Sequence, residues 1–157
     1  EAMMRWIGPA ESVLSLSRVH VKTRKDSTGM DQFITIPDHI EILSEMTSGP
    51  VVRMRFSTVT GLAPTDTVWF FGTEGTIKLD SATMTLHGGR NDAKCLTEIE
   101  VAPDKEDQWR VEQEFVNAIR GMEPITHTSF QDGVKYMEFT EAVTRSSQTG
   151  QKVYLPL

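Results

Sequence analysis

Four histidines, one cysteine and one glycine-bounded tetrapeptide are the residues whose types invite a chemical reading. His20, His39, His87 and His127 are widely scattered, and no H-E-x-x-H or comparable ligand spacing occurs. Each therefore reads as a satisfied or solvent-facing imidazole, not a metal ligand. Asp38 and His39 form an acid/base pair on paper. If His39 opens a strand, however, adjacent side chains diverge to opposite faces and no dyad forms. Cys95 follows Asn91-Asp92-Ala93-Lys94, and Lys94 could lower its pKa. A nucleophile also needs a histidine base, and the sequence places none nearby, so the thiol reads as inert. Gly72-Thr73-Glu74-Gly75 suggests a phosphate loop, but it lacks both G-x-G-x-x-G and G-K-[ST] and leads into a strand. A turn between two strands is the stronger reading. Trp69, Trp109 and the methionines are spaced as core residues, not as a stacking platform for bases. These residues assemble no self-sufficient active site.

Composition agrees with that conclusion. At about 100–200 residues per domain, 157 residues make one domain. Sixteen Lys and Arg against 22 Asp and Glu leave a net charge of −6, which argues against a nucleic-acid or polybasic membrane partner. The run Val68-Trp69-Phe70-Phe71 is far too short to span a bilayer. With 38% hydrophobic and 24% charged residues, the chain can bury a core. A single cysteine excludes an internal disulfide and every multi-cysteine zinc site. A reducing, cytoplasmic setting is expected, and the first twenty residues do not resemble a signal peptide.

The elements that must position any site follow from periodicity and turn residues. Met3, Trp6 and Ile7 recur at helical spacing, and Gly8-Pro9 stops that helix. No Ser, Thr, Asp or Asn caps its start, so the chain is expected to be a piece of a longer protein. Residues 13–21 read as a strand, and 22–37, polar and charge-rich, as a long surface loop. Residues 39–46 and 51–59 form a hairpin around Thr47-Ser48-Gly49-Pro50. A two-residue loop would oppose Arg53 with Ser44 and Arg55 with Ile42, mixing polar and apolar groups on both faces. A three-residue loop with left-handed Gly49 opposes Arg55 with Glu41 and Arg53 with Leu43. It also gathers Ile40, Ile42, Met46, Val52, Met54 and Phe56 on one face, and burial of one face fixes register. The three-residue loop is predicted.

Residues 68–71, 76–80, 83–87 and 96–101 follow as short strands, with Gly88-Gly89 and Asn91-Asp92 marking a turn before the last. Val111, Phe115, Ala118 and Ile119 place a helix over 107–120, ended by Gly121. Ser129 and Asp132 start a second helix as a short-armed capping box. Gly150 stops it, and 153–155 close as a strand. Strands first and helices last give an α+β fold: an open, mostly antiparallel β-sheet with helices packed on one face.

Three segments together resemble one family. Gly72-Thr73-Glu74-Gly75-Thr76-Ile77-Lys78-Leu79-Asp80 is similar to the G-T-E-G-x-[hydrophobic]-x-[hydrophobic]-D segment of the Gfo/Idh/MocA oxidoreductases. Glu114-Phe115-Val116-Asn117-Ala118-Ile119-Arg120-Gly121, followed by Pro124, resembles the penultimate helix of that family. Asp132-Gly133, Glu141-Ala142-Val143, Arg145-Ser146, Thr149-Gly150 and Val153 resemble its last helix and closing strand. Order and spacing match over nearly the whole chain.

The resemblance implies an NAD(P)-dependent dehydrogenase or related oxidoreductase acting on sugars, sugar acids or polyols. In such enzymes a Rossmann half holds the dinucleotide and an E-K-P lysine, and a second domain is an open antiparallel sheet with helices on one face. Residues 1–157 would be that C-terminal domain, truncated at its first helix, with the dinucleotide-binding domain missing. Glu1 stands at the trailing acidic position of the family's G-x-H-x-x-D pattern, because Ala2-Met3-Met4-Arg5-Trp6-Ile7-Gly8 continues as the family helix does. The catalytic histidine then lies three positions before residue 1. No catalytic, cofactor-binding or metal residue is carried over, so NAD or NADP is expected in the parent and not on this chain. A stand-alone, non-catalytic binding or dimerisation module is the alternative. By the same resemblance, the loop after the first strand and the end of the hairpin lie toward the cofactor domain, making Lys22, Arg24 and Thr60 the substrate candidates. The face left bare by the helices carries Glu41, Leu43, Arg53 and Arg55. Family members often dimerise sheet to sheet, so a homo-oligomer through this face is expected, Glu41 pairing with Arg53 or Arg55 across a two-fold axis.

Overall fold

The computed structural model describes residues 1–106, 109–126 and 129–157; Asp107, the expected helix start, and His127 lie outside them. Three α-helices and ten strands occur among the described residues. Within the 157 residues, contacts cluster into two compact units, one of Glu1–Thr60 with Arg110–Leu157 and one of Gly61–Trp109.

In the first unit, α1 (Ala2–Ile7) ends at Gly8, whose φ of 91° suits a residue without Cβ, and no side chain caps its start. A sheet of order β10-β1-β4-β5 follows, made of β1 (Ala10–Arg18), β4 (His39–Met46), β5 (Val51–Ser57) and β10 (Val153–Tyr154). The hairpin register is the expected one, with Glu41 opposite Arg55, Leu43 opposite Arg53 and Ile42 opposite Met54. Gly49 turns at φ 103°, and the Met46 N–H donates to the Pro50 carbonyl at 2.9 Å. The first strand lies three residues earlier than 13–21. Its start is tied down because Thr47 N–H donates to Pro9 O. Its ladder stops at Arg18 because the Asp38 carboxylate takes the His20 and Val21 N–H groups, each at 2.9 Å.

Residues 22–37 are not a loop throughout, and here the sequence expectation is corrected. The strands β2 (Thr23–Lys25) and β3 (Asp31–Phe33) form a separate two-stranded hairpin. Asp26 builds its turn: one carboxylate oxygen accepts the Thr28 N–H and hydroxyl and the Met30 N–H, and the other accepts Gln32 Nε2. The Thr28 hydroxyl leads these bonds in holding the Asp26 pKa down at about 2. Apolar alternation misses the hairpin because side-chain-to-backbone bonds organise it, not a buried face.

Helix α3 (Phe130–Thr149) opens with the Ser129–Asp132 capping box and closes at left-handed Gly150. It packs on β1 and β10. Val13, Ile42, Ala142 and Val143 form the core, with Ile40, Met54, Phe139, Val153 and Leu155 around them. A serine seam runs beside this core. The Ser15 N–H donates to Ser146 Oγ at 2.9 Å, and Ser15 Oγ donates to the Val143 carbonyl at 2.6 Å. Ser146 Oγ in turn donates to the Gln151 carbonyl, and the Ser17 and Ser147 hydroxyls bond each other. Helix α2 (Val111–Ile119) is shorter than the expected 107–120, and its Phe115, Val116 and Ile119 are exposed.

The second unit is a meander of β6 (Thr67–Phe71), β7 (Gly75–Asp80), β8 (Thr85–Arg90) and β9 (Thr97–Ile99). Two expectations are corrected. Gly88 and Gly89 lie inside β8, not in a turn. A Cβ on Gly75 would sit 2.4 Å from the Gly89 carbonyl oxygen, and one on Gly88 would sit 2.6 Å from Ile99 Cδ1. These glycines permit close approach of neighbouring strands. Trp69 and Trp109, read as core, are 45% and 75% exposed. Trp69 stands in the cross-strand row Trp69–Lys78–His87–Glu98, with Lys78 Nζ 5.7 Å from its ring centre, so its face of the sheet is the polar one.

Candidate functional site

The β4–β5 register decides which side chains leave the core. On β1, β4 and β5 the rows Val13–Ser44–Val52 and Ser15–Ile42–Met54 point toward α3, and the alternate rows Leu14–Leu43–Arg53 and Leu16–Glu41–Arg55 point away. Glu41 is the hub of that outer face. It accepts Arg55 Nε, lies 3.6 Å from Arg53 Nε and lies 3.6 Å from His39 Nε2. The Arg55 hydrogen bond leads the causes that hold its carboxyl below the ordinary range. Leu14, Leu16 and Leu43 are exposed beside it, and a shallow concavity of about 660 Å³ is lined by these leucines, Glu41 and Arg53. Thus Glu41, Leu43, Arg53 and Arg55 do share one surface. Within the single chain Glu41 is already paired with both arginines. Both pairs are made through Nε.

Lys22 and Arg24 stand at the root of the separate β2–β3 hairpin, which meets one end of this sheet at Asp38, and Thr60 follows β5. Asp38, buried, is the anchor there: Arg24 approaches its carboxylate at 3.7 Å, and Thr58 N–H donates to its carbonyl. The backbone donors of His20 and then Val21 lower the Asp38 pKa. The end of α1 lies at the other end of the sheet, where Ser48 Oγ donates to the Ile7 carbonyl at 2.6 Å. Between them β4 runs seven residue steps, about 24 Å.

Other candidates are also placed. Among the described residues no cluster of three or more His, Cys, Asp or Glu could hold a metal ion, and Cys95 is exposed. His20 and His39 make an edge contact at 5.6 Å. His87 departs from expectation, since its buried Nδ1 has no hydrogen-bond partner among the described residues. Sequence reasoning missed Asp38 as an anchor and missed Glu114, a carboxylate 2% exposed that accepts the Thr126 N–H at 3.1 Å. Neither interrupts the apolar pattern that reveals elements. Gly72 to Gly75 forms the expected inter-strand turn, Gly72 N–H donating to Gly75 O at 2.9 Å. Gly75 approaches Gly89 of the neighbouring strand and leads into no helix. The Gly72–Gly75 turn therefore lacks the strand–turn–helix form of a dinucleotide phosphate loop.

No family model matches the chain, and no curated protein matches it. Solved structures do. An NAD-binding oxidoreductase from Klebsiella pneumoniae overlays 99% of this chain on 48% of its own, with TM-score 0.79 and 14% identity. Levoglucosan dehydrogenase, in complex with NADH and L-sorbose, overlays 98% on 48% with TM-score 0.78 and 18% identity. The WlbA dehydrogenase from Bordetella pertussis, in complex with NADH and UDP-GlcNAcA, overlays 99% on 43% with TM-score 0.65 and 20% identity. The chain spans about half the length of each. This chain has the fold of the C-terminal half of Gfo/Idh/MocA-type NAD-binding oxidoreductases.

Proposed function

We propose that the chain is the substrate-side and oligomerisation half of an NAD(P)-dependent oxidoreductase acting on a sugar, sugar acid or polyol, the dinucleotide being held by another part of the parent. One observation carries the reading: nearly the whole chain overlays half of each sugar dehydrogenase, while its own glycine turn is occupied by a neighbouring strand. The cofactor would supply the hydride chemistry, and this half would supply shape and subunit contacts. The outer face of β1, β4 and β5 is the proposed homodimer surface, because it sets exposed leucines among charges, as interface cores do.

Two measurements test this. A coding sequence upstream of Glu1 is expected to encode a glycine-rich strand–turn–helix and an E-K-P lysine, and the full-length parent is expected to reduce NAD or NADP with a member of a sugar and polyol panel. An unrelated upstream domain, or no turnover across the panel, overturns the enzymatic reading. Light scattering is expected to show a dimer that Arg53→Glu weakens. A dimer indifferent to that change overturns the face.

A further inference from the structure

The β2–β3 hairpin does not behave as an internal part of its unit. Among the described residues its strands pair only with each other, and every residue of both is exposed. An isolated two-stranded hairpin is marginal in water, and this one carries Met30, Phe33 and Ile36 at 64%, 74% and 76% exposure. Yet it is held in shape at both ends. Asp26 ties the turn through four hydrogen bonds, and at the root Arg24 meets Asp38 while Ile34 N–H donates to Lys22 O at 2.9 Å. Such preorganisation lowers the ordering cost of a later contact.

We propose that residues 22–36 are an intersubunit clasp that docks on a second copy of this chain, at the margin of the face-to-face dimer. This rests on the proposed outer-face dimer and names its second contact. Area argues for it. Three strands of seven to nine residues, at about 3.4 Å per residue and 4.8 Å between strands, present a footprint of only roughly 400 Å². A standard interface buries about 800 Å² on each partner, so the sheet face falls short unless a further element joins it. Reach agrees. From Lys22 to Ser27 the hairpin spans roughly 17 Å, and stacked sheets lie only about 10 Å apart. Position agrees too, because the root at Asp38 adjoins His39, which itself contacts Glu41 on the outer face.

The test is sedentary to the hairpin and does not touch the core. Analytical ultracentrifugation of the 157-residue chain is expected to give a dimer whose Kd rises tenfold or more in Phe33→Ser/Ile36→Ser, with an unchanged circular dichroism spectrum and melting temperature. A photo-crosslinking residue at position 33 is expected to join two chains. An unchanged Kd in the double variant, or crosslinks confined to one chain, overturns the clasp while leaving an Arg53→Glu-sensitive sheet dimer standing. A monomer at all concentrations overturns both. Crosslinks only to an upstream segment in the full-length parent assign the hairpin to that segment and overturn the second-copy reading.

Discussion

Gly75→Ala is expected to destabilise the second unit, and its cost can be ranked from the contacts an added methyl would meet. At Gly75 the new Cβ lies 2.4 Å from the Gly89 carbonyl oxygen and 3.1 Å from Arg90 Cα. Both are backbone atoms of the adjacent strand, so relief requires β7 and β8 to separate. Overpacking of this kind costs about 1–3 kcal/mol, and with no flexible group to yield, the upper half of that range is expected. At Gly88 the 2.6 Å contact is with Ile99 Cδ1, the end of a flexible side chain. A change of rotamer can absorb it, for about 1 kcal/mol or less. Gly133, inside α3, has no described residue within 4 Å of its would-be Cβ. Alanine there is expected to stabilise by about 0.5–1 kcal/mol through helix propensity. Urea denaturation read by circular dichroism gives the three changes, and amide exchange across β7 and β8 shows whether the first is local. Gly75→Ala as stable as the parent, or less damaging than Gly88→Ala, refutes the reasoning that strand-to-strand approach is why glycine stands there.

Further outcomes are expected elsewhere. Ile42→Ala removes a 4%-exposed core side chain and should cost about 2–5 kcal/mol by denaturant titration. Ser146→Ala strands the Ser15 N–H and the Gln151 carbonyl and should cost about 1–3 kcal/mol by the same assay. Because the folded pKa of Asp26 lies below its ordinary value of 3.8, its contribution is present above about pH 4 and lost as pH falls toward 2. The Thr28 and Met30 amide shifts should titrate over that window, and should not in Asp26→Ala. Calorimetric titration of the chain with NADH or NADPH should show no binding, and micromolar affinity for either would reveal a site outside the turn at Gly72.

The hairpin register was legible because six apolar residues fall on one face only with a three-residue loop, a choice that burial of Ile42 and Met46 enforces. The cap and stop of α3 were legible because Ser129, Asp132 and Gly150 act locally. What stayed hidden depends on long-range polar contacts. Asp38 ends one strand and fixes the root of a hairpin through partners about eighteen residues away in sequence, and no periodicity records that. Gly88 and Gly89 carried the signature of a turn, but the same lack of a side chain serves close packing, and only the neighbouring strand distinguishes the two. The candidate surface residues were found as a set through register. The Glu41–Arg55 pair followed from the same register; the second contact, to Arg53, did not, since a carboxylate opposite one arginine can reach another diagonally.

The serine seam between β1 and α3 has a mechanical consequence. Apolar side chains grip without regard to direction, and a helix resting on them can creep along a sheet at little cost. Hydroxyls bonded to named backbone atoms, as Ser15 and Ser146 are, act instead as detents. A slip of α3 by one residue, about 1.5 Å, would unseat all of them together. The carboxyl end of the helix is thereby indexed to the sheet, and so are Gly150 and the short closing strand behind it. Strain arriving at the amino end, near Ser129, would travel along α3 as along a stiff rod and be felt where β10 meets β1.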